Sequence, residues 1–174
     1  MRGLVFGITP EELTDPLPPD VNHLERNLRV TPMGLQDVDD PTHVGPDWVV
    51  LKTRLCGICG SDSKQVFMDT GGDWSDASMT AFISFPQILG HEVIADVVEV
   101  GPKARGIEVG QRVALQCWLS CGPRGISPMC PACEAGDYSL CWNFLDGRLA
   151  PGIHVGNSSD APGGFGELLP AHDS

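Results

Sequence analysis

Positive charge is scarce in this sequence. Eleven Lys and Arg stand against twenty-three Asp and Glu, a formal net charge of −12. A field of that sign repels phosphate backbones and anionic headgroups, which argues against nucleic acid and membrane surfaces as partners. Long apolar runs are missing too, and nothing approaches the roughly eighteen residues of a membrane-spanning helix. The N-terminus, MRGLVFGITPEELTD, holds one Arg and a short apolar run closed by Pro10 and two glutamates. It lacks the long apolar segment and small-residue cleavage site of a secretory signal. The expected location is therefore cytoplasmic, where stable disulfides are uncommon. No internal repeat is visible.

What is there fits one domain covering residues 1–174 with its own core. Hydrophobic residues make up 41%, too many for a disordered tail. Twenty-one Gly and fifteen Pro favour short strands joined by turns. The first forty-six residues carry turn signals, DPLPPD at 15–20, DDP at 39–41 and GPD at 45–47, with one helical turn expected at LERNL, 24–28. WVVLKTRL at 48–55 reads as a strand running into the loop or helix start CGICGSD. Residues 68–86 read as an excursion, while 90–102 and 110–118 read as strands. The expected class is mainly β with few short helices, an irregular sheet or small β-barrel.

Four of the seven cysteines crowd into SCGPRGISPMCPACEAGDYSLC, residues 120–141. The spacing is Cys121-x8-Cys130-x2-Cys133-x7-Cys141. A Cys-x2-Cys turn points two sulfurs the same way, and two more complete a closed tetrahedral S4 site, the pattern of structural zinc. Two disulfides or buried thiols are the alternative, disfavoured by the missing signal and the odd count. A closed S4 site does no chemistry, so the reaction must lie elsewhere. Upstream, Cys59 in GICGSD and His91 in GHE stand at the edges of expected strands, with thirty-one residues between them. Alone, such residues are ordinarily a small buried hydrophobe and a satisfied histidine.

Taken in order, GICGSD, GHE…VVEVGP, VGQRV and a clustered-cysteine loop resemble the medium-chain zinc-dependent alcohol dehydrogenases, in their N-terminal GroES-like catalytic domain. The resemblance runs from about Pro46 through Pro170. It implies a GroES-like irregular β-barrel with a cysteine lobe at about 117–145. It also implies oxidation of an alcohol to an aldehyde or ketone by hydride transfer to NAD or NADP. By position, Cys59 matches the first catalytic zinc ligand and His91 the second. Glu92 matches the acid that can approach the metal. Ser61 matches the hydroxyl that takes the alcohol's proton, and Asp62 the carboxylate that orients the zinc histidine. Cys121, Cys130, Cys133 and Cys141 match the structural zinc lobe. GGFGELLP at 163–170 resembles the segment that returns the chain to the barrel. Cys56 matches no ligand and is expected to pack. Trp118, just before the lobe, is expected to be core rather than pocket lining.

Departures from the family pattern are equally specific. GPRGISPM separates the first two lobe cysteines, where relatives have two residues, so the lobe is enlarged and Cys117 rivals Cys121 for the first position; the CGP opening favours Cys121. The Cys59–His91 interval is long, Lys64 stands where many relatives have a histidine, and Ala95 replaces a glycine. In the family the third catalytic ligand and a Rossmann cofactor domain follow the returning segment. No G-x-G-x-x-G turn occurs here, so the Rossmann domain is expected to be absent and the isolated chain inactive. Such enzymes are often homo-oligomers. The alternative from a different class is a free-standing zinc-binding structural or interaction domain. His23, His43, His154 and His172 are expected to be solvated loop residues.

Overall fold

The computed structural model describes residues 1–7, 21–67 and 82–173. The turn signal at 15–20 and most of the excursion at 68–86 lie outside the described residues. In chain order the elements are β1 (Arg2–Phe6), α1 (His23–Val30), β2 (Met33–Asp37), β3 (Trp48–Gly57), α2 (Gly60–Val66), β4 (Gln87–Ile88), β5 (Glu92–Val100), β6 (Arg112–Ala114), α3 (Pro131–Glu134) and β7 (Leu168–His172). They form a three-stranded sheet, β2-β1-β4, and a four-stranded sheet, β6-β5-β3-β7. The architecture is mainly β with short helices, as expected from composition.

β3 is the hub of the larger sheet. Its opening run Trp48-Val49-Val50-Leu51 is wholly buried. Continuous burial of this kind marks a strand covered on both faces, and β3 is flanked by β5 and β7, both antiparallel to it. β5 instead alternates. Val93, Ala95 and Val97 face the core, while Glu92, Ile94 and Val98 face outward. The core joins these residues to Trp48, Leu119 and Leu169. Burying each large aliphatic or aromatic side chain stabilises the fold by about 1.5–3 kcal/mol.

The two sheets are tied through the glycine-rich segment before β7. Leu4 N donates to Phe165 O at 3.1 Å and Glu167 N to Arg2 O at 3.1 Å. On its other side, Gly163 N reaches Ile88 O at 2.7 Å, Phe165 N reaches Leu89 O at 3.0 Å and Gly164 N reaches Gly90 O at 2.8 Å. A Cβ on Gly163 would collide with the Gly90 carbonyl, so glycine is required by this approach. The segment thereby buttresses the backbone immediately ahead of His91.

Several expectations are corrected here. The turn-rich N-terminal region contains two strands, β1 and β2, paired antiparallel from Arg2↔Asp37 to Phe6↔Met33. The short apolar run GLVF finds a ladder partner across thirty residues, a pairing no local pattern announces. The helical turn at 24–28 extends to the full α1, capped by the Asn22 side chain accepting from Glu25 N at 3.0 Å. The strand expected over 110–118 shortens to Arg112–Ala114; beyond it Leu115 N donates to Val93 O at 2.9 Å and the chain leaves toward the cysteine lobe. His43 is partly buried beside Glu99, at 3.4 Å, and His172 lies on β7 between Asp47 and Asp173, at 3.3 and 3.4 Å. His154 is buried. None of these three is a solvated loop residue, because each ring is buried or partly buried with an acidic or carbonyl group beside it. The side chain of His23 lies outside the described residues.

Candidate functional site

Two groups of metal-ligating side chains assemble among the described residues. The first gathers Cys121, Cys130, Cys133 and Cys141, whose sulfurs all lie within 4.8 Å of one another. Cys117, the rival for the first position, is not in it; its carbonyl instead accepts from Val155 N at 2.9 Å. Cys130 precedes α3, whose first residue is Pro131, a residue suited to the first helical position. One turn of that helix brings Cys133 back beside Cys130. No disulfide joins any of the seven cysteines, an arrangement that favours the metal reading of the lobe.

The sulfur geometry fits zinc. Tetrahedral Zn–S bonds of about 2.3 Å place sulfurs about 3.8 Å apart, and Cys121 Sγ stands 3.7 Å from Cys141 Sγ. Donors already point at the sulfurs: Cys130 N to Cys121 Sγ at 3.4 Å, Asn143 Nδ2 to Cys121 Sγ at 3.2 Å and Asn143 N to Cys141 Sγ at 3.3 Å. Such donors stabilise thiolates. Backbone hydrogen bonding from Trp142 pulls the Cys130 thiol down to about 6. Burial, with the crowding of Cys133 and Cys121, leaves Cys141 pushed up to about 12 against the opposing backbone bond from Asn143. Cys130 ionises readily while Cys133 and Cys141 resist, so a bound cation is what would make this a stable four-thiolate set.

The second group is Cys59, His91 and Glu92, with ligand atoms again within 4.8 Å. Cys59 sits in the loop between β3 and α2, His91 in the turn before β5, and Glu92 opens that strand. One buried carboxylate holds these pieces together. Asp62, 1% exposed, accepts from Cys59 N at 2.9 Å and from Gly90 N at 3.3 Å, and lies 3.5 Å from His91 Nδ1. With Nδ1 turned to Asp62, the other ring nitrogen remains for a ligand. Burial raises the Asp62 pKa, but the facing His91 and bonds from Cys59 N and Gly90 N outweigh it and hold it below the ordinary carboxylate range. Asp62 in turn raises His91. The Ser61 hydroxyl, then the Ser61 backbone, then His91 lower the Cys59 thiol, favouring the thiolate a metal requires. Ser61 is exposed beside it, open to a ligand from solvent.

Sulfur, nitrogen and carboxylate form a donor set that suits zinc, and with three protein groups one position stays open. The neighbouring thiols are different. Burial, then Asp62, pushes Cys56 up to about 11, and it packs against the core as expected. Burial also raises Cys117. Trp118 is partly buried and packs against the cysteine lobe, consistent with core. A cavity of about 730 Å³ lined by Asp47, Lys103, Arg105, Ser120, His172 and Asp173 includes none of the Cys59 group and is not the site of this chemistry.

Sequence reasoning missed two residues. His154 stacks on His91, with ring centroids 4.1 Å apart and planes at 34°. Burial first, then the proximity of His91, lowers His154 to about 4, so it is neutral. Its cue was a lone His between aliphatics in GIHVG. Arg124, fully buried, spends all five N–H donors on carbonyls, and nothing in GPRG distinguishes it from a surface residue.

Comparison with known proteins gives a consistent result. Residues 45–174 match the family described as the alcohol dehydrogenase GroES-like domain. Over 109 residues, 63% of this chain, it is 39% identical to the L-threonine 3-dehydrogenase of Pyrococcus furiosus, and the match spans 27% of that protein. Against the L-threonine 3-dehydrogenase of Legionella pneumophila the identity is 33% over 135 residues, 78% of this chain and 33% of the relative. The solved alcohol dehydrogenase TADH of Thermus sp. ATN1 superposes on the whole chain with a TM-score of 0.63 at 22% identity, covering 38% of that enzyme, a likeness of fold. The chain thus spans about a third of the length of the relatives it matches.

Proposed function

The chain belongs to the medium-chain zinc dehydrogenase family through its alcohol dehydrogenase GroES-like domain, and on that premise we propose that it is the alcohol-positioning part of an NAD(P)-linked, zinc-dependent dehydrogenase of the cytoplasm. The observation that carries the reading is Asp62: one buried carboxylate bonded to the backbone at Cys59 and Gly90 and facing His91. A purely structural domain has no need to prearrange an open donor set in this way.

Cys59, His91 and Glu92 would hold the catalytic ion, and the four lobe cysteines a structural one. Zinc bound there supplies Lewis acidity that makes an alcohol easier to deprotonate. The chain's own residues do the rest. Asp62 fixes the His91 ring, and Ser61, exposed next to Cys59, hydrogen-bonds the substrate hydroxyl and carries its proton outward. The sequence has no G-x-G-x-x-G turn to hold a dinucleotide, so NAD or NADP is assigned to a further domain and no step is derived through it. The relatives' names make the secondary alcohol of L-threonine the first substrate to try. Residues 1–174 act as one unit in this reading, and the full enzyme is a homo-oligomer.

The test is a zinc count on purified chain. Two zincs per chain are expected, falling to one in Cys59→Ser with the unfolding midpoint little changed. One zinc in the wild type, lost on replacing a lobe cysteine, would favour the free-standing structural domain instead. In the full enzyme, Ser61→Ala should lower kcat roughly a hundredfold while both metals stay bound, as loss of a proton-transfer group does; unchanged kcat removes Ser61 from the reaction.

A further inference from the structure

An imidazole that ligates a metal must be fixed both in its plane and about it. Asp62 supplies the in-plane partner for His91, but at 3.5 Å between Oδ1 and Nδ1 it is longer than a good hydrogen bond, and Nδ1 has no closer acceptor. That contact and the one to Cys59 both lie at the ring's edge and constrain its rotation weakly. A further constraint is available at the ring's face. His154 lies against that face, centroid to centroid 4.1 Å, the closest ring pair among the described residues.

His154 is itself held on three sides. Its Nδ1 donates to Val155 O at 2.7 Å. Its backbone bridges Trp118, with Leu119 N donating to Ile153 O at 3.0 Å and Val155 N to Cys117 O at 2.9 Å. Its ring meets Trp118 nearly edge-on, centroids 6.4 Å apart at 69°. Trp118 in turn contacts Phe144, at 6.4 Å, and both pack on the four-cysteine lobe. A row of rings, His91–His154–Trp118–Phe144, therefore runs from the open donor set to the closed one.

We infer that His154 is a positioning residue for His91, a platform that sets the rotation of the ligand ring and is anchored through Trp118 on the cysteine lobe. This rests on the reading of Cys59, His91 and Glu92 as a metal site. It assigns His154 no bond to metal or substrate. What it requires is an aromatic ring at that place, since a flat partner restricts rotation of the imidazole whereas an aliphatic one of similar bulk does not. Residues that orient a ligating histidine typically change metal affinity about 10–100-fold when lost.

The experiment titrates Co²⁺ into the metal-stripped 174-residue chain, with absorption reporting each site. Thiolate-to-cobalt charge transfer from four sulfurs distinguishes the lobe from the one-sulfur site. His154→Leu should weaken the second, Cys59-containing site about tenfold or more and alter its d–d bands, while cobalt in the lobe is unchanged. His154→Phe, which restores a ring, should recover most of the affinity. Should His154→Leu fail to fold, Trp118→Leu removes the support of the ring and must weaken the same site. Equal affinity and identical bands in wild type and the leucine variant overturn the inference alone. So does a phenylalanine variant as weak as the leucine one. A wild-type chain that takes up no second cobalt overturns the metal reading of Cys59 and His91, and this inference with it.

Discussion

Cys130→Ser is expected to abolish binding of one zinc per chain and to lower the unfolding midpoint by roughly 10 °C or more. Structural zinc in small modules contributes about 10–16 kcal/mol of binding free energy that appears as folding free energy. Here the lobe is not the whole fold, so only part of that is coupled to global unfolding. For a chain of this size each kcal/mol moves the midpoint about 2–4 °C. Apart from the Arg124 hydrogen bonds, the lobe has only a small apolar core. Its buried core is the four cysteines and Phe144, with partly buried Trp118, Ile126 and Tyr138 against them. Without a cation the same sulfurs oppose one another, since burial and neighbouring thiols hold Cys133 and Cys141 protonated while Cys130 ionises. Calorimetry with and without a chelator checks this. A midpoint that ignores both chelator and Cys130→Ser would show that the lobe stands on packing alone.

Arg124→Met is expected to destabilise the chain by about 3–5 kcal/mol, the usual cost of breaking a buried, fully bonded polar network. Nε donates to Leu119 O at 2.9 Å, Nη1 to Asp146 O at 2.9 Å and Leu149 O at 3.0 Å, and Nη2 to Ala150 O at 3.2 Å and Gly152 O at 2.7 Å. The side chain has zero exposure. Burial pulls its pKa down, yet an Arg stays charged at any ordinary pH, and the five carbonyls take the place of its water. Methionine fills the space and satisfies none of them. Arg124→Lys should recover less than half of the loss, because an ammonium has three donors and no fork. Urea unfolding of the three proteins measures this; a Met variant within about 1 kcal/mol of wild type means that water satisfies those carbonyls and the network is not a strut.

This strut gives the enlarged lobe a physical purpose. The inserted GPRGISPM carries Arg124, and Arg124 pins 146–152, the segment that leads directly to His154. Gly147 belongs to the same arrangement: at φ +86° its place is left-handed, and a Cβ there would come within 2.5 Å of the Arg124 carbonyl. From the sequence the insertion is only a departure in spacing.

Short-range chemistry was legible in the sequence alone. The Cys-x2-Cys turn, the flanking cysteines and the strand run at Trp48 are local patterns, so the lobe and β3 follow from spacing and periodicity. Cys59 and His91 were legible as residues but not as neighbours; spacing across thirty-one residues fixes no distance, and their pairing came from resemblance. The tertiary structure decided what depends on distant segments meeting. It closed β1 on β2, bore out the sequence's preference for Cys121 over Cys117, and put Asp62 between two loops. It also buried His154, which reads as a solvated loop residue, and Arg124, which the local sequence does not single out. Burial of a polar group is set by whether partners converge on it. Those partners here are backbone carbonyls and a second ring, and neither leaves any trace in local sequence.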